Sequence, residues 1–134
     1  MVVLFFEKRN YDMKFCVGND IIETKRIERL CKKFSDKFKN RVYLESEIQY
    51  CESKKENKYQ SYAGRFAAKE AIYKAISGKL DNKYSVSWTD IEIINDESGR
   101  PFVKLKGMDF VEEIDVSISH VKEYAIATAI VTFK

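Results

Sequence analysis

Two acidic residues, Asp20 and Glu70, stand in short runs of side chains that are suited to phosphate chemistry. Lys74 follows Glu70 by four residues, so the two side chains share one face if the segment is helical. His120, the only histidine, ends a third such run. Mg²⁺ binds one or two carboxylates and leaves its other positions to water and substrate phosphate. Two carboxylates, two or three cations and one imidazole therefore predict a magnesium-assisted reaction on a polyphosphate substrate.

Each of these residues also has a plainer interpretation. Asp20 could cap the helix that follows it, with Glu23 completing a capping box. Glu70 and Lys74 could form an ordinary surface pair, worth about 0.3–0.5 kcal/mol. His120 could be a structural hydrogen-bonding residue, and its neutral form could equally donate to a phosphate oxygen. The residue types alone leave these alternatives open.

Hydrophobic periodicity predicts the elements that must position these residues. A first strand over residues 13–18 reaches a tight turn at Gly18, and a helix follows over residues 22–38. The strongest helix covers residues 61–76, is rich in alanine and ends at Ser77-Gly78. The other predicted elements are a short helix over residues 45–52, a hairpin with strands over 91–94 and 102–105, a strand over 115–119 and a long strand over 124–133. This order predicts an α+β fold, with N-terminal helices packed on a mainly antiparallel sheet.

Composition limits the class of protein. The chain has 134 residues, 45% apolar and 34% charged, a balance that argues against long disorder and favours one domain. No apolar run approaches the ~20 residues of a membrane span. The three cysteines, Cys16, Cys31 and Cys51, form no C-x-x-C pair, which indicates reduced thiols in a cytoplasmic protein rather than a zinc or redox site.

Positive charge is concentrated in the segment over residues 24–41. It contains eight Lys and Arg residues and two acidic ones, a net charge of +6, whereas the whole chain carries +3. The plainer interpretation is a solvated helix face, and the functional one is a surface that attracts an acidic partner. A small basic RNA-binding module is a third possibility, but the aromatic residues are scattered and form no stacking motif, and +3 is too small to indicate nucleic-acid binding.

Read together, three runs resemble the holo-acyl-carrier-protein synthases, the small bacterial type of 4′-phosphopantetheinyl transferase. They are Gly-x-Asp-Ile at residues 18–21, Arg-Phe-Ala-Ala-Lys-Glu-Ala-x-x-Lys-Ala at residues 65–75 and Ser-Ile-Ser-His at residues 117–120. The central run is the specific part, and the likeness covers residues 13–131. Residues 1–12 have no counterpart in the family pattern, which predicts an N-terminal extension before a single domain over residues 13–134, with Met13 as the natural start.

The resemblance implies an activity and a set of site residues. Enzymes of this family move the phosphopantetheine arm of coenzyme A onto a serine of an apo acyl carrier protein, and adenosine 3′,5′-bisphosphate is the by-product. Asp20 and Glu70 match the family's magnesium ligands, and Lys74 matches a lysine at the pyrophosphate. Arg65 and His120 match residues near the 3′-phosphate of coenzyme A. The attacking serine needs a base, for which a metal-bound water and Glu70 acting through a water are both open.

The resemblance also implies partners. Arg26 matches an arginine that meets the acidic helix of the carrier protein, and Arg29 is expected to lie beside it. The family is usually trimeric, so a homotrimer with coenzyme A bound between subunits is expected. Candidate burial surfaces are the long strand over residues 124–133 and the alanine face of the helix over residues 61–76. A non-catalytic scaffold that binds coenzyme A or a carrier protein is the alternative from another functional class.

Overall fold

A long central helix and an antiparallel sheet form the core of the protein. The computed structural model describes residues 14–134, so the predicted extension over residues 1–12 and Met13 lie outside the described part. The elements in chain order are β1 (Phe15–Glu23), α1 (Thr24–Phe34), α2 (Asp36–Val42), α3 (Glu45–Glu52), α4 (Lys58–Ile76), β2 (Ile91–Asn95), β3 (Pro101–Leu105), β4 (Val111–His120) and β5 (Tyr124–Phe133). The predicted α+β fold is confirmed.

The main sheet has the strand order β1-β5-β4, and both pairings are antiparallel. Side chains along β5 alternate between the two faces, and its inward positions are Ala125, Ala127, Ala129, Val131 and Phe133. Helix α4 packs on this inner face through alanines that are fully buried. Small residues on both surfaces allow the helix backbone to lie close to the strands. The alanine face of α4 is therefore buried inside this chain, and the outer face of β5 is the one left exposed.

Gly18 lies inside β1, so the tight turn predicted at this glycine is wrong. The strand continues for five residues past Gly18, to Glu23, because every residue of β1 pairs with β5. A Cβ at Gly18 would overlap the carbonyl oxygen of Ala71 and lie 2.9 Å from the amide nitrogen of Ala75. Glycine is required here by the close approach of α4.

The single helix predicted over residues 22–38 is also wrong. Helix α1 ends at Phe34, and Ser35 has a φ of 49°, which breaks the helix before α2 begins. The buried positions of α1 are Thr24, Ile27 and Cys31, and a polar serine stands where the next apolar position would fall. The change of direction at Ser35 allows Val42, the last residue of α2, to reach the core.

The predicted hairpin forms a separate two-stranded sheet from β2 and β3. Asp96 organises its turn, because its Oδ1 accepts hydrogen bonds from the Ser98 hydroxyl and from the backbone amides of Ser98 and Arg100. Gly99 has a φ of 88°, a conformation that favours glycine. Across residues 14–134, no helix has both the length and the apolar composition that crossing a bilayer requires.

Candidate functional site

The close approach of β1 to α4 brings Asp20 to the side of the helix. Asp20 is two residues after Gly18, so both face the inner side of the sheet. Lys74 Nζ lies 3.0 Å from Asp20 Oδ1 and donates a second hydrogen bond of 3.0 Å to the Asn19 carbonyl oxygen. Asp20 is in the middle of a strand and does not cap α1, whose N-cap residue is Glu23 with no side-chain cap bond. The capping interpretation of Asp20 is therefore wrong.

Glu70 lies one helical turn before Lys74 and belongs to the same cluster. Burial raises the pKa of the Glu70 carboxyl, and the negative charge of Asp20 raises it further. The positive charges of Lys74 and Arg26 act in the opposite direction on this pKa. Asp20, Glu70 and Lys74, which the sequence singled out separately, are thus electrostatic neighbours, and Lys74 forms its ion pair with Asp20 rather than with Glu70.

This cluster has a donor set that fits Mg²⁺. Asp20 and Glu70 repel each other across a half-buried site, and a divalent cation between them would relieve that repulsion. Within residues 14–134, no group of three His, Cys, Asp or Glu side chains could hold a metal ion by itself. Two carboxylates suit a hard ion that keeps water and substrate phosphate in its other positions.

A cavity of about 580 Å³ opens beside Glu70. It is lined by cations and aromatic rings from three parts of the chain, namely Arg41, Tyr73, Lys83, Tyr84 and Trp88. The sequence did not predict this cavity. Tyr73 lies one helical turn before Ser77 and Arg41 belongs to the basic segment, but neither feature indicates a cavity.

Arg65 lies in a second, smaller cavity and is almost fully buried, with 5% of its surface exposed. Its guanidinium carbon lies 3.9 Å from the ring centroid of Tyr50, and its Nη2 donates a 2.7 Å hydrogen bond to Asn95 Oδ1. The Nε of Arg65 is buried and has no hydrogen-bond partner among the described residues. A rigidly held guanidinium with an unused donor is suited to binding an anion.

His120 lines the same cavity as Arg65. It is the last residue of β4, and its Nδ1 lies 3.0 Å from Gln60 Oε1, which orients the ring. Because the amide oxygen of Gln60 accepts the hydrogen on Nδ1, Nε2 remains for another contact. The structure thus brings together the two residues that the resemblance assigned to the 3′-phosphate.

The cluster of Asp20, Glu70 and Lys74 and the cluster of Arg65 and His120 lie on different sides of α4. The cavity beside Glu70 and the cavity beside Arg65 share no lining residue. Arg65 and Glu70 are five positions apart, which places their side chains about 140° apart around a helix. A long ligand that uses both clusters would therefore have to pass around α4 or be shared between two copies of the chain.

Arg26 and Arg29 are both exposed on α1. Arg26 lies near enough to Glu70 for its positive charge to oppose the rise in the pKa of that carboxyl, so Arg26 borders the cluster of Asp20, Glu70 and Lys74. Arg29 is one turn further along the same helix. Arg26 therefore stands at the edge of the site, and Arg29 belongs to the same basic surface of α1.

The outer face of the main sheet carries exposed apolar residues on β1 and β5, beside a hydrogen-bonded Asn19–Thr128 pair and the polar outer side of β4. Alternate residues of β1 and β5 expose 40–62% of their surface, and they are Phe15, Val17, Ile21, Tyr124, Ile126 and Ile130. Contiguous exposed apolar residues of this kind mark an interaction surface.

Comparison with known proteins identifies the family. The family model for the 4′-phosphopantetheinyl transferase superfamily matches residues 16–129. A holo-[acyl-carrier-protein] synthase of Ruminiclostridium cellulolyticum is 42% identical over 127 residues, which cover 90% of this chain and 93% of that protein. One of Clostridium tetani is 44% identical over 122 residues, which cover 86% of this chain and 93% of that protein.

Solved structures agree with these sequence relatives. The Helicobacter pylori holo-[acyl-carrier-protein] synthase, crystallised with coenzyme A, is 35% identical and superposes with a TM-score of 0.76 over 87% of this chain and 99% of that chain. The Bacillus anthracis enzyme is 38% identical, with a TM-score of 0.72 over 89% and 96% of the two chains. The chain described here therefore belongs to the 4′-phosphopantetheinyl transferase superfamily and, within it, to the holo-[acyl-carrier-protein] synthase family.

Proposed function

We propose that this protein transfers the 4′-phosphopantetheine arm of coenzyme A to a serine of an apo acyl carrier protein, with Mg²⁺, and releases adenosine 3′,5′-bisphosphate. One observation carries the proposal. Lys74 meets Asp20 across a sequence separation of 54 residues, directly beside Glu70, in a chain of this family. A cation and two carboxylates at one point are the groups that a pyrophosphate and its metal ion require.

The proposed roles at the reacting end follow from charge. Asp20 and Glu70 would hold Mg²⁺, which when bound neutralises the charge that develops on the pyrophosphate oxygens. Lys74 is half exposed, so its ammonium can turn from Asp20 to a phosphate oxygen without a change in the backbone. Its long side chain would then bind the oxygens whose negative charge grows as the bond to the leaving group breaks.

The proposed reaction forms one bond and breaks one bond at the same phosphorus atom. The serine hydroxyl oxygen forms a bond to the phosphorus that bears the pantetheine. The bond from that phosphorus to the bridging oxygen breaks, and the bridging oxygen leaves on adenosine 3′,5′-bisphosphate. The serine proton needs an acceptor, for which a metal-bound water and Glu70 acting through a water molecule are the two candidates.

The other end of coenzyme A would bind at Arg65 and His120. Arg65 and His120 line one small cavity, and the guanidinium of Arg65 offers hydrogen-bond donors to a phosphate group. Because this cavity and Glu70 lie on different sides of α4, we propose that coenzyme A lies between two protomers, each of which supplies one cluster. The exposed apolar residues of β1 and β5 support association of protomers through that face, and we propose the homotrimer that the family resemblance implies.

The carrier protein would dock on α1. Arg26 and Arg29 are exposed beside the acidic cluster, where the serine must arrive, and the surrounding segment has a net charge of +6. We also propose a cytoplasmic location, which the three free cysteines favour.

The test is the intact mass of apo acyl carrier protein after incubation with this protein, coenzyme A and Mg²⁺. A gain of one phosphopantetheine group is expected, and omission of Mg²⁺ should prevent it. Binding of coenzyme A with no gain of mass would instead support the scaffold. Binding of RNA without affinity for coenzyme A would contradict both interpretations.

A further inference from the structure

Lys69 and Glu47 form an ion pair that has no exposed surface. Lys69 immediately precedes Glu70 in the chain. Lys69 Nζ lies 2.7 Å from Glu47 Oε1, and both side chains are 0% exposed. Lysine and glutamate are almost never fully buried unless they are paired. Neither residue has a role in the reaction described above, so the pair requires a separate explanation.

The ammonium of Lys69 uses all three of its donors inside the protein. It donates to Glu47 Oε1 at 2.7 Å, to the Val42 carbonyl oxygen at 2.7 Å and to the Trp88 carbonyl oxygen at 3.1 Å. Val42 ends α2, and Trp88 lies in the turn that leads into β2. One side chain of α4 therefore ties together two segments that are distant in sequence.

The carboxylate of Glu47 is equally well satisfied. Its Oε1 accepts a 2.8 Å hydrogen bond from the Leu44 amide, and its Oε2 accepts a 3.0 Å bond from the Ile93 amide. The network thus extends from α4 to the start of α3 and to the backbone of β2. Full satisfaction at every donor and acceptor makes this arrangement rigid, because any displacement leaves a buried polar group unpaired.

This network fixes the walls of the cavity that contains Glu70. Arg41 precedes Val42 and lines that cavity, and Trp88 lines it directly. Lys69 and Glu70 are consecutive in α4. A rotation or an axial shift of the helix would therefore displace the Glu70 carboxylate, and the bonds of Lys69 prevent such a movement. An error of about 1 Å in the position of a reacting group can reduce a rate about 100-fold.

We propose that the Lys69–Glu47 pair is a positioning device for the magnesium end of the site. It holds α4 at the rotation and depth that direct Glu70 towards Asp20. This inference rests on the proposed function. Stability alone is a poor explanation of the pair, because replacing a buried ion pair by uncharged residues of similar size is often neutral or stabilising. The geometric constraint on Glu70 is what such a replacement would lose.

The decisive variant is the double substitution Lys69→Met/Glu47→Gln, which removes both charges and keeps the side-chain sizes. Mg²⁺ is titrated by calorimetry into the protein with coenzyme A and without carrier protein, so that no turnover occurs. We expect Mg²⁺ affinity to fall about 10-fold, within the range found when the groups that support metal ligands are changed. The Mg²⁺ concentration for half-maximal transfer should rise by the same factor. Urea unfolding, followed by the fluorescence of Trp88, the only tryptophan, reports whether the variant is folded.

The matched control is Lys58→Met/Glu52→Gln. This pair is 3.2 Å apart and also joins α4 to α3, but Lys58 is 12 residues from Glu70, about 18 Å along the helix. Its Mg²⁺ titration should equal that of the unchanged protein. Wild-type Mg²⁺ affinity in a folded Lys69→Met/Glu47→Gln variant would overturn the proposal.

If the double variant does not fold, Glu47→Gln alone provides the test. The amide side chain in this variant keeps an acceptor for Lys69 but loses a carboxylate oxygen for one backbone amide, so a smaller loss in the same direction is expected. Unchanged Mg²⁺ affinity in this variant would also overturn the proposal. Failure of the unchanged protein to bind Mg²⁺ or to transfer would instead contradict the proposed function.

Discussion

Gly18 and Ala71 lie so close that the backbone of β1 almost touches the backbone of α4. A Cβ at Gly18 would overlap the Ala71 carbonyl oxygen, which is part of the helix backbone and cannot move aside as a side chain can. This contact sets the distance between the strand that carries Asp20 and the helix that carries Glu70 and Lys74. The geometry of the candidate site therefore depends on a glycine that has no chemical role.

Substitution of Gly18 by alanine should separate β1 from α4. We expect Gly18→Ala to lower the free energy of unfolding by about 3 kcal/mol, the upper part of the usual range for overpacking, and to weaken Mg²⁺ binding. The control is Gly64→Ala, where the nearest atom is the Ile118 Cγ2 side-chain atom at 3.1 Å. Alanine is also favoured over glycine in a helix by about 1 kcal/mol. Equal destabilisation by the two variants in urea unfolding would contradict this account.

Glu70→Gln should separate activity from stability. We expect transfer to fall about 100-fold or more, as when a group that stabilises a transition state is removed. The free energy of unfolding should stay unchanged or rise slightly, because the variant removes a desolvated carboxylate that Asp20 repels. Steady-state kinetics and urea unfolding measure the two quantities. Near-normal turnover with Mg²⁺ would show that Glu70 is only a half-buried surface residue.

His120→Ala should affect coenzyme A more than dephospho-coenzyme A, which lacks the 3′-phosphate. A charge-assisted hydrogen bond contributes roughly 1.5–3 kcal/mol, or about 10- to 100-fold in affinity. His120 is a cleaner test than Arg65, because His120 is exposed whereas removal of Arg65 would leave a hole beside Tyr50. Calorimetry measures the affinity of the variant for both ligands. An equal loss for the two would exclude His120 from the 3′-phosphate site.

Arg26→Glu should raise the Michaelis constant for the carrier protein more than it lowers the maximal rate. Opposite charges chiefly accelerate encounter and fix orientation, and salt screens them with a Debye length of ~8 Å at physiological ionic strength. Transfer at limiting carrier protein should therefore fall as salt rises. Lys37→Glu makes the same change of charge on α2 and should have a smaller effect. Equal effects of both variants would mean that the basic segment acts only through its overall field.

Ile130→Asp should disrupt the proposed trimer. Ile130 is 46% exposed on the outer face of the main sheet and stands opposite Asp115 of β4, so a carboxylate at this position would be repelled by Asp115 and would lose its hydration in a subunit interface. We expect the variant to stay folded, to sediment as a monomer and to lose transfer. Phe102→Asp is the control, because Phe102 is similarly exposed, at 41%, but lies on β3. A monomeric unchanged protein with full activity would contradict the shared site.

Much of the architecture follows from local sequence pattern. The alanine-rich helix α4, the hairpin of β2 and β3 and the strand β5 were all predicted, although α4 begins three residues earlier than expected and β4 is longer than predicted. These elements have a strong period of their own or end at clear turn residues, so neighbouring residues suffice to specify them. The four-residue spacing of Glu70 and Lys74 is of the same kind. The family resemblance also identifies Asp20, Arg65 and His120 as candidate site residues.

Local pattern thus specified most of the elements and the candidate residues on them. Long-range packing established that Lys74 pairs with Asp20, that Arg65 is buried against Tyr50 and that Lys69 is bonded to Glu47. Each of these contacts joins segments that are distant in the chain, and none has a local signature. The same holds for Gly18, which was predicted as a turn because glycine favours turns, but which is required in a strand because a helix packs against it. Periodicity reports the environment of one element, whereas these features depend on the distance between two elements, which close packing of the whole core sets.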